Sequence, residues 1–370
     1  MKIFRNILIG CASILCLGWL IWSILPPIIT FTKVDTRTAS RQENDAVLLV
    51  MAYPEAICRT TEAAYSDLLP YVGIGQKNLI RAGHACLAIV RKGSPVVEYF
   101  DNGRYIAPEG FCRVRGANTD PELKVDVKAR WRGRRLANVK EILQWFYDHP
   151  EKTHGGGTLY AGIVDKANYE ATMACINEIQ DKDIIEYGPF ADGATNCARF
   201  VTDAIYNGSL DPELKQNIED LYKFTPSGLS NIEASNSRDY YYMVNEKGVQ
   251  KSRKNLDMIQ LEALFDGGEG YTDYSTSGTL CPPDNIQADS SWQWLGGLGY
   301  GAWFSVKPTA DPSEFMVDCH NSKGELNWSA TYRSAEPIEL PSDFKITYPA
   351  NFEKMTLVVN DKKLTLNKIA

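Results

Sequence analysis

The hydrophobic pattern begins with one long apolar run. Residues 7–31 contain no charged side chain, and about 20 apolar residues suffice to cross a bilayer core as a helix. A cleavable signal peptide normally has a shorter apolar region that ends in a small-residue cleavage site, and the sequence around Pro26 and Pro27 offers none. The pattern therefore predicts a single-pass transmembrane anchor at residues 1–31 and a polar linker at 32–44. It also favours a body outside the cytoplasm (periplasmic).

Residues 45–230 alternate between short apolar runs and segments of helical periodicity. The run at 46–51 predicts a buried strand, and the runs at 84–90 and 96–100, separated by a Lys-Gly-Ser-Pro turn, predict a hairpin. Two further extended stretches are predicted at 111–116 and 123–131. Apolar residues that recur at i, i+3, i+4 and i+7 predict helices at 138–147, 169–179, 196–206 and 212–222.

The composition and the hydrophobic pattern of the chain change after residue 230. Residues 231–284 are mixed and polar, and we predict that they connect two domains. Residues 285–370 are rich in aromatic residues, glycines and short alternating runs, which predicts a small C-terminal β domain. The tryptophans of this domain either present a sugar- or lipid-facing surface or, as is more common for large aromatic side chains, fill its core. They are Trp292, Trp294, Trp303 and Trp328.

Charge and cysteine content exclude some classes of protein. The formal net charge is −7 and the pI is about 5.3, without the basic excess of a general nucleic-acid binder. The nine cysteines are scattered, with no Cys-x-x-Cys pair, which gives no support to a metal cluster. We therefore predict no cofactor, no metal and no nucleic-acid partner.

Cys197 is the candidate nucleophile. It begins a predicted helix, with Thr195 or Asn196 as the cap. A helix N-terminus stabilises a thiolate through the helix dipole, its N–H groups can hold an oxyanion, and a nearby base completes the activation. His84, at the start of a predicted strand, is the candidate base, and His154, beside a glycine-rich loop, is its rival.

Three motifs carry a resemblance to a known family. The sequences GHACLAI at 83–89 and NCARFV at 196–201 resemble the circularly permuted NlpC-like branch of the papain fold, to which lecithin–retinol acyltransferase-like proteins belong. In that branch a histidine strand precedes an Asn-Cys helix. YFDNGRY at 99–105 is similar to an uncharacterised bacterial branch of the same superfamily. For residues 45–230 the resemblance implies an α+β fold in which a permuted papain-like (NlpC-like) antiparallel sheet packs on helices. It also implies a cysteine peptidase, amidase, thioesterase or acyltransferase.

The acid that would orient His84 is not fixed by the resemblance. Side chains alternate faces along a strand, and a two- or four-residue turn in the predicted hairpin places His84 opposite Gly103. Asp101 then shares the face of His84 as a diagonal neighbour, and Glu98 lies on the opposite face. A three-residue turn would reverse the faces. We therefore expect Asp101 to be the third catalytic residue, with Glu98 as the alternative.

These residues lead to competing functional hypotheses. The first is a thiol-dependent hydrolase or acyltransferase that forms a Cys197 thioester and acts on an amide or ester bond in a cell-envelope peptide or lipid. The second is a catalytically silent lipid- or peptide-binding envelope protein. The third is an envelope scaffold that acts through its aromatic C-terminal domain. The predicted partners are a cell-wall peptide or membrane lipid as substrate, and the membrane itself through residues 7–31.

Overall fold

The computed structural model of the chain describes residues 43–60, 66–76, 79–189, 191, 193–223, 225–265 and 279–369. The strands are, in chain order, β1 (Ala46–Tyr53), β2 (Cys58–Arg59), β3 (Leu79–Ile80), β4 (His84–Arg91), β5 (Glu98–Gly103), β6 (Phe111–Gly116), β7 (Trp131–Arg132), β8 (Arg135–Leu136), β9 (Leu159–Ala167), β10 (Ile185–Glu186), β11 (Tyr241–Asn245), β12 (Gly248–Ser252), β13 (Gln293–Leu295), β14 (Ala302–Pro308), β15 (Glu314–His320), β16 (Leu326–Arg333), β17 (Lys345–Ala350), β18 (Lys354–Val359) and β19 (Lys362–Lys368).

The α-helices that the structure describes all lie before residue 265. They are α1 (Val139–Asp148), α2 (Pro150–Thr153), α3 (Tyr169–Gln180), α4 (Cys197–Gly208), α5 (Pro212–Leu221), α6 (Gly228–Ser235) and α7 (Leu256–Leu264). Two short 3-10 helices span Ser66–Val72 and Pro121–Leu123.

The first sheet is antiparallel and has the strand order β10-β6-β5-β4-β1-β9-β11-β12. Its central strand β1 has the sequence AVLLVMAY and is buried along its whole length. The side chains of Val47, Leu49 and Met51 join one hydrophobic core, and those of Leu48 and Val50 join the other. A continuous apolar run is therefore what a strand covered on both faces requires.

The two faces of this sheet are covered differently. Helices α3, α4, α5 and α6 contribute apolar side chains to the core on one face. Helix α1 and side chains from the segment 123–136 cover the other face. This arrangement brings the N-terminus of α4 to the sheet at β4 and β5.

The second sheet has the order β13-β14-β15-β16-β19-β18-β17 and is also antiparallel. Its core contains Trp328, while Trp303 is buried, and Trp292 and Trp294 are half-buried. This sheet contacts the first through a short backbone ladder. The Gly299 N–H donates to the Arg104 carbonyl oxygen (2.9 Å), and the Ile106 N–H donates to the Tyr300 carbonyl oxygen (2.8 Å).

The predicted fold class is wrong in one element, the transmembrane helix. Among the residues that the structure describes, no helix is long and apolar enough to cross a membrane. The longest of them have 12 residues, or about 18 Å at 1.5 Å per residue, against a bilayer core of about 30 Å. The predicted span at 7–31 and the linker up to residue 42 lie outside the described residues. The fold class is corrected to a mixed α+β architecture of sheets and helices, and the single-pass, extracytoplasmic membrane localisation is withdrawn.

Other parts of the pattern turned out differently from the prediction. The stretch 123–131, predicted to be extended, follows a short 3-10 helix and forms no strand apart from the start of β7 at Trp131. The region 231–284, predicted to be a connection, contributes β11 and β12 to the first sheet. The domain boundaries at 45–230 and 285–370 stay predictions.

Candidate active site

Cys197 lies at the first position of α4. Asn196 caps the helix, because its side-chain oxygen accepts a hydrogen bond from the Arg199 backbone N–H (2.9 Å). The thiol is partly exposed. The first N–H groups of a helix have no acceptor within the helix, and the Ala198 N–H lowers the pKa of the Cys197 thiol by hydrogen bonding to it. The capped helix start thus directs the Ala198 N–H at the sulfur.

His84 is the first residue of β4 and is 8% exposed. It follows Gly83, whose φ of +75° suits glycine, and a Cβ there would come within 3.0 Å of the Tyr53 carbonyl oxygen. The chain therefore turns at Gly83 and enters β4 at His84, so the imidazole lies at the first position of the strand. His84 Nε2 lies 3.2 Å from Asp101 Oδ2, and the His84 side chain is hydrogen-bonded to the Cys197 thiol. Because Nε2 faces the carboxylate, Nδ1 is the ring nitrogen left for the thiol.

Asp101 is fully buried and receives several hydrogen bonds. The Arg115 guanidinium donates to both of its oxygens (Nε to Oδ1, 3.0 Å; Nη2 to Oδ2, 2.6 Å), and the Tyr99 hydroxyl donates to Oδ2 (2.8 Å). Burial raises the pKa of the Asp101 carboxyl, but the Arg115 charge and the His84 hydrogen bond outweigh burial and hold it below its usual range. Asp101 is therefore an ionised, fixed acceptor for the imidazole.

The predicted hairpin register is confirmed. Cys86 pairs with Asp101 and Ile89 with Glu98, which is the pairing that places Asp101 on the face of His84. Glu98 lies on the other face and accepts a hydrogen bond from the Tyr169 hydroxyl at 2.8 Å. The structure thus brings Asp101 to His84 and does not bring Glu98 there. Whether these residues act in catalysis stays a prediction.

The thiol and the imidazole shift each other's pKa in opposite directions. Burial lowers the pKa of His84, but Asp101 and Cys197 more than offset burial and raise it to about 9. Burial raises the pKa of Cys197, and the hydrogen bond and charge of His84 overcome that effect, so the pKa lies below its ordinary value. Near neutral pH this combination favours a thiolate beside an imidazolium.

The rival base, His154, is separated from His84 by the ring of Tyr105. Its imidazole stacks on Tyr105 with ring centroids 5.0 Å apart, and Tyr105 in turn presents its edge to His84 at 6.2 Å. Burial and the Arg115 charge lower the pKa of His154 well below its ordinary value, which keeps its ring neutral. His154 therefore lines the site, while the hydrogen bond to Cys197 comes from His84.

These groups border a cavity of about 50 Å³. Residues of both sheets and their loops form its wall. Leu298 and Gly299, in the loop between β13 and β14 of the second sheet, contribute to it. The remaining lining residues are Ile57, Cys58, Gly83, His84, Asn102, Gly103, Arg104, Tyr105, His154, Tyr187 and Cys197. Gly103 is required for close packing, since a Cβ there would lie 2.3 Å from the Tyr105 ring. Within the described ranges, no group of His, Cys, Asp or Glu side chains could hold a metal ion.

Sequence reasoning missed the groups that hold Asp101 in place. Arg115 is 1% exposed and lies directly opposite Asp101 in the β5–β6 ladder. Its guanidinium carbon also sits 3.7 Å from the Tyr105 ring centroid. One signal was available: two arginines, at 113 and 115, alternate within a short apolar strand. A cation at a buried strand position indicates a buried anion opposite it.

Two family models match separate parts of this chain. Residues 48–213 match the model of a family described as type VI secretion system effector TseH-like. Residues 292–369 match the model of the DUF6695 C-terminal domain. A crystal structure of the type VI secretion system effector TseH matches with 16% identity and a TM-score of 0.37, over 56% of this chain and 98% of that one. A search of curated proteins gives no match.

The segment that matches the TseH-like family contains Cys197, His84 and Asp101. The finer resemblance, to the permuted branch with lecithin–retinol acyltransferase-like proteins, is not confirmed by these comparisons. Over residues 48–213 the chain is similar to TseH-like type VI secretion system effectors.

Proposed function

We propose that the protein is a thiol-dependent hydrolase that cleaves an amide bond in a cell-envelope peptide through a thioester on Cys197. The observation that carries this proposal is the line of three side chains: a thiol of lowered pKa, an imidazole whose pKa is raised to about 9, and a buried carboxylate 3.2 Å from that imidazole. A cysteine nucleophile, a base and a group that orients the base are the parts that nucleophilic acyl transfer requires.

The chemistry follows from these charges. The Cys197 thiolate attacks the carbonyl carbon of the scissile amide, and the carbonyl oxygen becomes an oxyanion. His84, as the imidazolium, donates its proton to the leaving amine as the C–N bond breaks, and a thioester remains on the sulfur. His84, now neutral, takes a proton from water, whose oxygen attacks the thioester and releases a carboxylic acid. Asp101 keeps the imidazole oriented and stabilises its charged form throughout.

The character of the cavity favours a peptide over a lipid as the substrate. Its lining includes the side chains of Asn102, Arg104, Tyr105 and Tyr187, whose donors and acceptors suit hydrogen bonding to peptide groups. The similarity of residues 48–213 to a secretion-system effector family also supports a hydrolase acting on an envelope peptide. A silent binding module would need neither a lowered thiol pKa nor a charged imidazole beside the thiol, so the enzyme is the better account.

The test is digestion of purified peptidoglycan peptides, with and without cross-links, by the full chain. We expect new carboxyl and amino termini in the products and a peptidyl adduct on Cys197 after rapid acid quenching, both detected by mass spectrometry. The Cys197→Ala variant should show neither. Cys281→Ala is the matched control, because Cys281 is an exposed thiol outside the cavity, and it should retain full turnover. Turnover by Cys197→Ala would overturn the proposal, and a product that carries an acceptor other than water would identify a transferase.

A further inference from the structure

Asn102 is a buried amide whose side chain lies beside the Cys112 thiol but makes no hydrogen bond of ordinary geometry with the described residues. Its side chain is fully buried, and among the residues that the structure describes neither Nδ2 nor Oδ1 has a hydrogen-bond partner. Leaving a buried polar group unsatisfied costs about 1–3 kcal/mol, and native proteins satisfy the great majority of such groups. An unsatisfied amide that lines a cavity indicates a site for a ligand that hydrogen-bonds to it.

The position of Asn102 connects it to the nucleophile. It follows Asp101 on β5, so its side chain points to the opposite face of the sheet, the face that α4 covers. There it lines the same cavity as Cys197. Asp101 and Asn102 therefore serve the two sides of one site: the carboxylate holds the base, and the amide faces the start of the nucleophile's helix.

The polar neighbour of Asn102 on this face is a weak acceptor. Burial raises the pKa of the Cys112 thiol to about 12, against the opposing effect of the Asn102 amide beside it, so Cys112 stays a neutral thiol. That thiol donates its own proton to the Ile185 carbonyl oxygen (3.4 Å). A thiol sulfur accepts hydrogen bonds poorly, which leaves the Asn102 N–H groups available to a stronger acceptor.

We propose that Asn102 Nδ2 is an oxyanion donor: together with the backbone N–H of Cys197, at the first position of α4, it hydrogen-bonds the carbonyl oxygen that becomes negative when Cys197 attacks. This inference rests on the proposed function and adds a catalytic group to it. Such donors act on charge that develops only in the transition state, and removing one typically costs about 10²–10³-fold in rate.

Two small reagents separate this role from a structural one. p-Nitrophenyl acetate acylates Cys197 through a tetrahedral oxyanion: the thiolate attacks the acyl carbon, a thioester forms, and p-nitrophenolate leaves. Iodoacetamide alkylates the same thiolate by displacing iodide, and no oxyanion forms. Both rates are measured on the full chain by mass spectrometry of the peptide that contains Cys197, with Cys197→Ala as the blank.

We expect Asn102→Ala to lower the acylation rate by about 10²-fold and to leave the alkylation rate within about twofold. Asn102→Ser keeps a hydroxyl donor and should lie between Asn102→Ala and the parent. Asn351→Ala is the matched control, because Asn351 is a buried asparagine in the turn between β17 and β18, outside the cavity lining, and neither rate should change. Thermal unfolding of each variant shows that the compared proteins are folded.

Two outcomes would overturn the inference. If both rates fall together in Asn102→Ala and Asn102→Ser, the residue supports the fold or the thiolate, and if neither falls, it does not contact the oxyanion. Neither reagent resembles an envelope peptide, so a protein that is acylated in an Asn102-dependent manner but cleaves no such peptide would refute the proposed substrate and leave this inference standing. Should Cys197 of the parent react with neither reagent, the proposed function and the inference fail together.

Discussion

Two cavities border strand β5, and they differ in almost every property. The larger, of about 640 Å³, is an apolar groove, and its lining residues are 95–100, 117–118, 123–128, Met173 and Asn177. The smaller, of about 50 Å³, holds Cys197, His84 and Asn102. Size alone would select the groove as the functional site, whereas the lowered pKa of Cys197 and the raised pKa of His84 select the small cavity. The chemistry favours the small cavity, because the groove lining contains no cysteine, serine, threonine or histidine and so lacks a nucleophile paired with an imidazole base.

The electrostatics of the two cavities explain this choice. Beside the small cavity, Asp101 and Arg115 are almost fully buried and pair with each other at 2.6 Å. Burying charges costs several kcal/mol per ion unless they are well paired, and the pairing here holds a histidine in its charged form. At the groove, the Glu98 carboxylate accepts a hydrogen bond from the Tyr169 hydroxyl. A tyrosine hydroxyl thus takes the place that the imidazole of His84 has at Asp101.

The largest effect within this comparison is expected at the base. His84→Gln removes the group that activates the thiol and protonates the leaving amine, so kcat/KM should fall about 10²–10⁴-fold. His154→Gln changes a neutral ring that stacks on Tyr105 and should cost much less. Steady-state rates on the peptide substrate measure both variants.

The two histidine variants also test which ring acts as the base. Iodoacetamide alkylation of Cys197 at pH 7 should slow strongly in His84→Gln, because the thiolate loses its imidazolium partner, and only slightly in His154→Gln. The reverse order in both assays would assign the base to His154.

A smaller loss is expected at the acid. Asp101→Asn keeps the shape but removes the charge that stabilises the imidazolium, so kcat/KM should fall within the range of about 10²–10⁴-fold that a positioned base contributes. The loss should be smaller than in His84→Gln, because the imidazole itself remains. The same change leaves the buried Arg115 cation without its counter-ion and should lower the free energy of unfolding by about 3–5 kcal/mol.

Glu98→Gln is the matched change on the other face of β5, and it should alter neither rate nor stability strongly. Denaturant unfolding and steady-state rates at a temperature where both variants are folded measure the pair. A larger rate loss in Glu98→Gln than in Asp101→Asn contradicts the assignment of the acid.

The strand pattern was sufficient to choose Asp101 over Glu98, whereas His84 and Cys197 were identified with the help of the family resemblance. Alternation along two short apolar runs predicts a hairpin, and a two- or four-residue turn gives the observed register, with Cys86 opposite Asp101. The helix start at Cys197 follows from local capping chemistry at Asn196, which the structure retains. These features are local, so neighbouring residues determine them.

The remaining parts of the site depend on contacts between distant segments. Arg115 meets Asp101 only because β6 adds to the hairpin, and Leu298 reaches the cavity only because the second sheet packs against residues 104–106. The transmembrane prediction is contradicted by the absence, among the described residues, of a helix long and apolar enough to cross a membrane. The run at 7–31 on which it rests lies outside those residues.

The pH dependence of the parent should show both partners of the ion pair. The active form needs the Cys197 thiolate and the His84 imidazolium. Activity should therefore rise as pH increases through the lowered pKa of Cys197 and fall as pH increases through the raised pKa of His84, about 9, approaching tenfold per pH unit beyond each limit. In Asp101→Asn the upper limit should move to lower pH, because Asp101 raises the pKa of His84. An unchanged upper limit in that variant would show that another group sets it.

The smallest effect is expected in the groove, and it decides whether the large cavity takes part in the reaction. Val96 lines the groove and is 55% exposed, so Val96→Glu places a charge in the groove without burying it and should change the free energy of unfolding by no more than about 0.5 kcal/mol. If the peptide binds only at the small cavity, kcat/KM should stay within about twofold of the parent. If the apolar groove instead binds part of the substrate, the charge should raise KM severalfold and leave kcat and Cys197 alkylation unchanged. Steady-state kinetics with alkylation as the reference therefore separates a groove that binds substrate from one that does not, and a raised KM would extend the substrate site along β5.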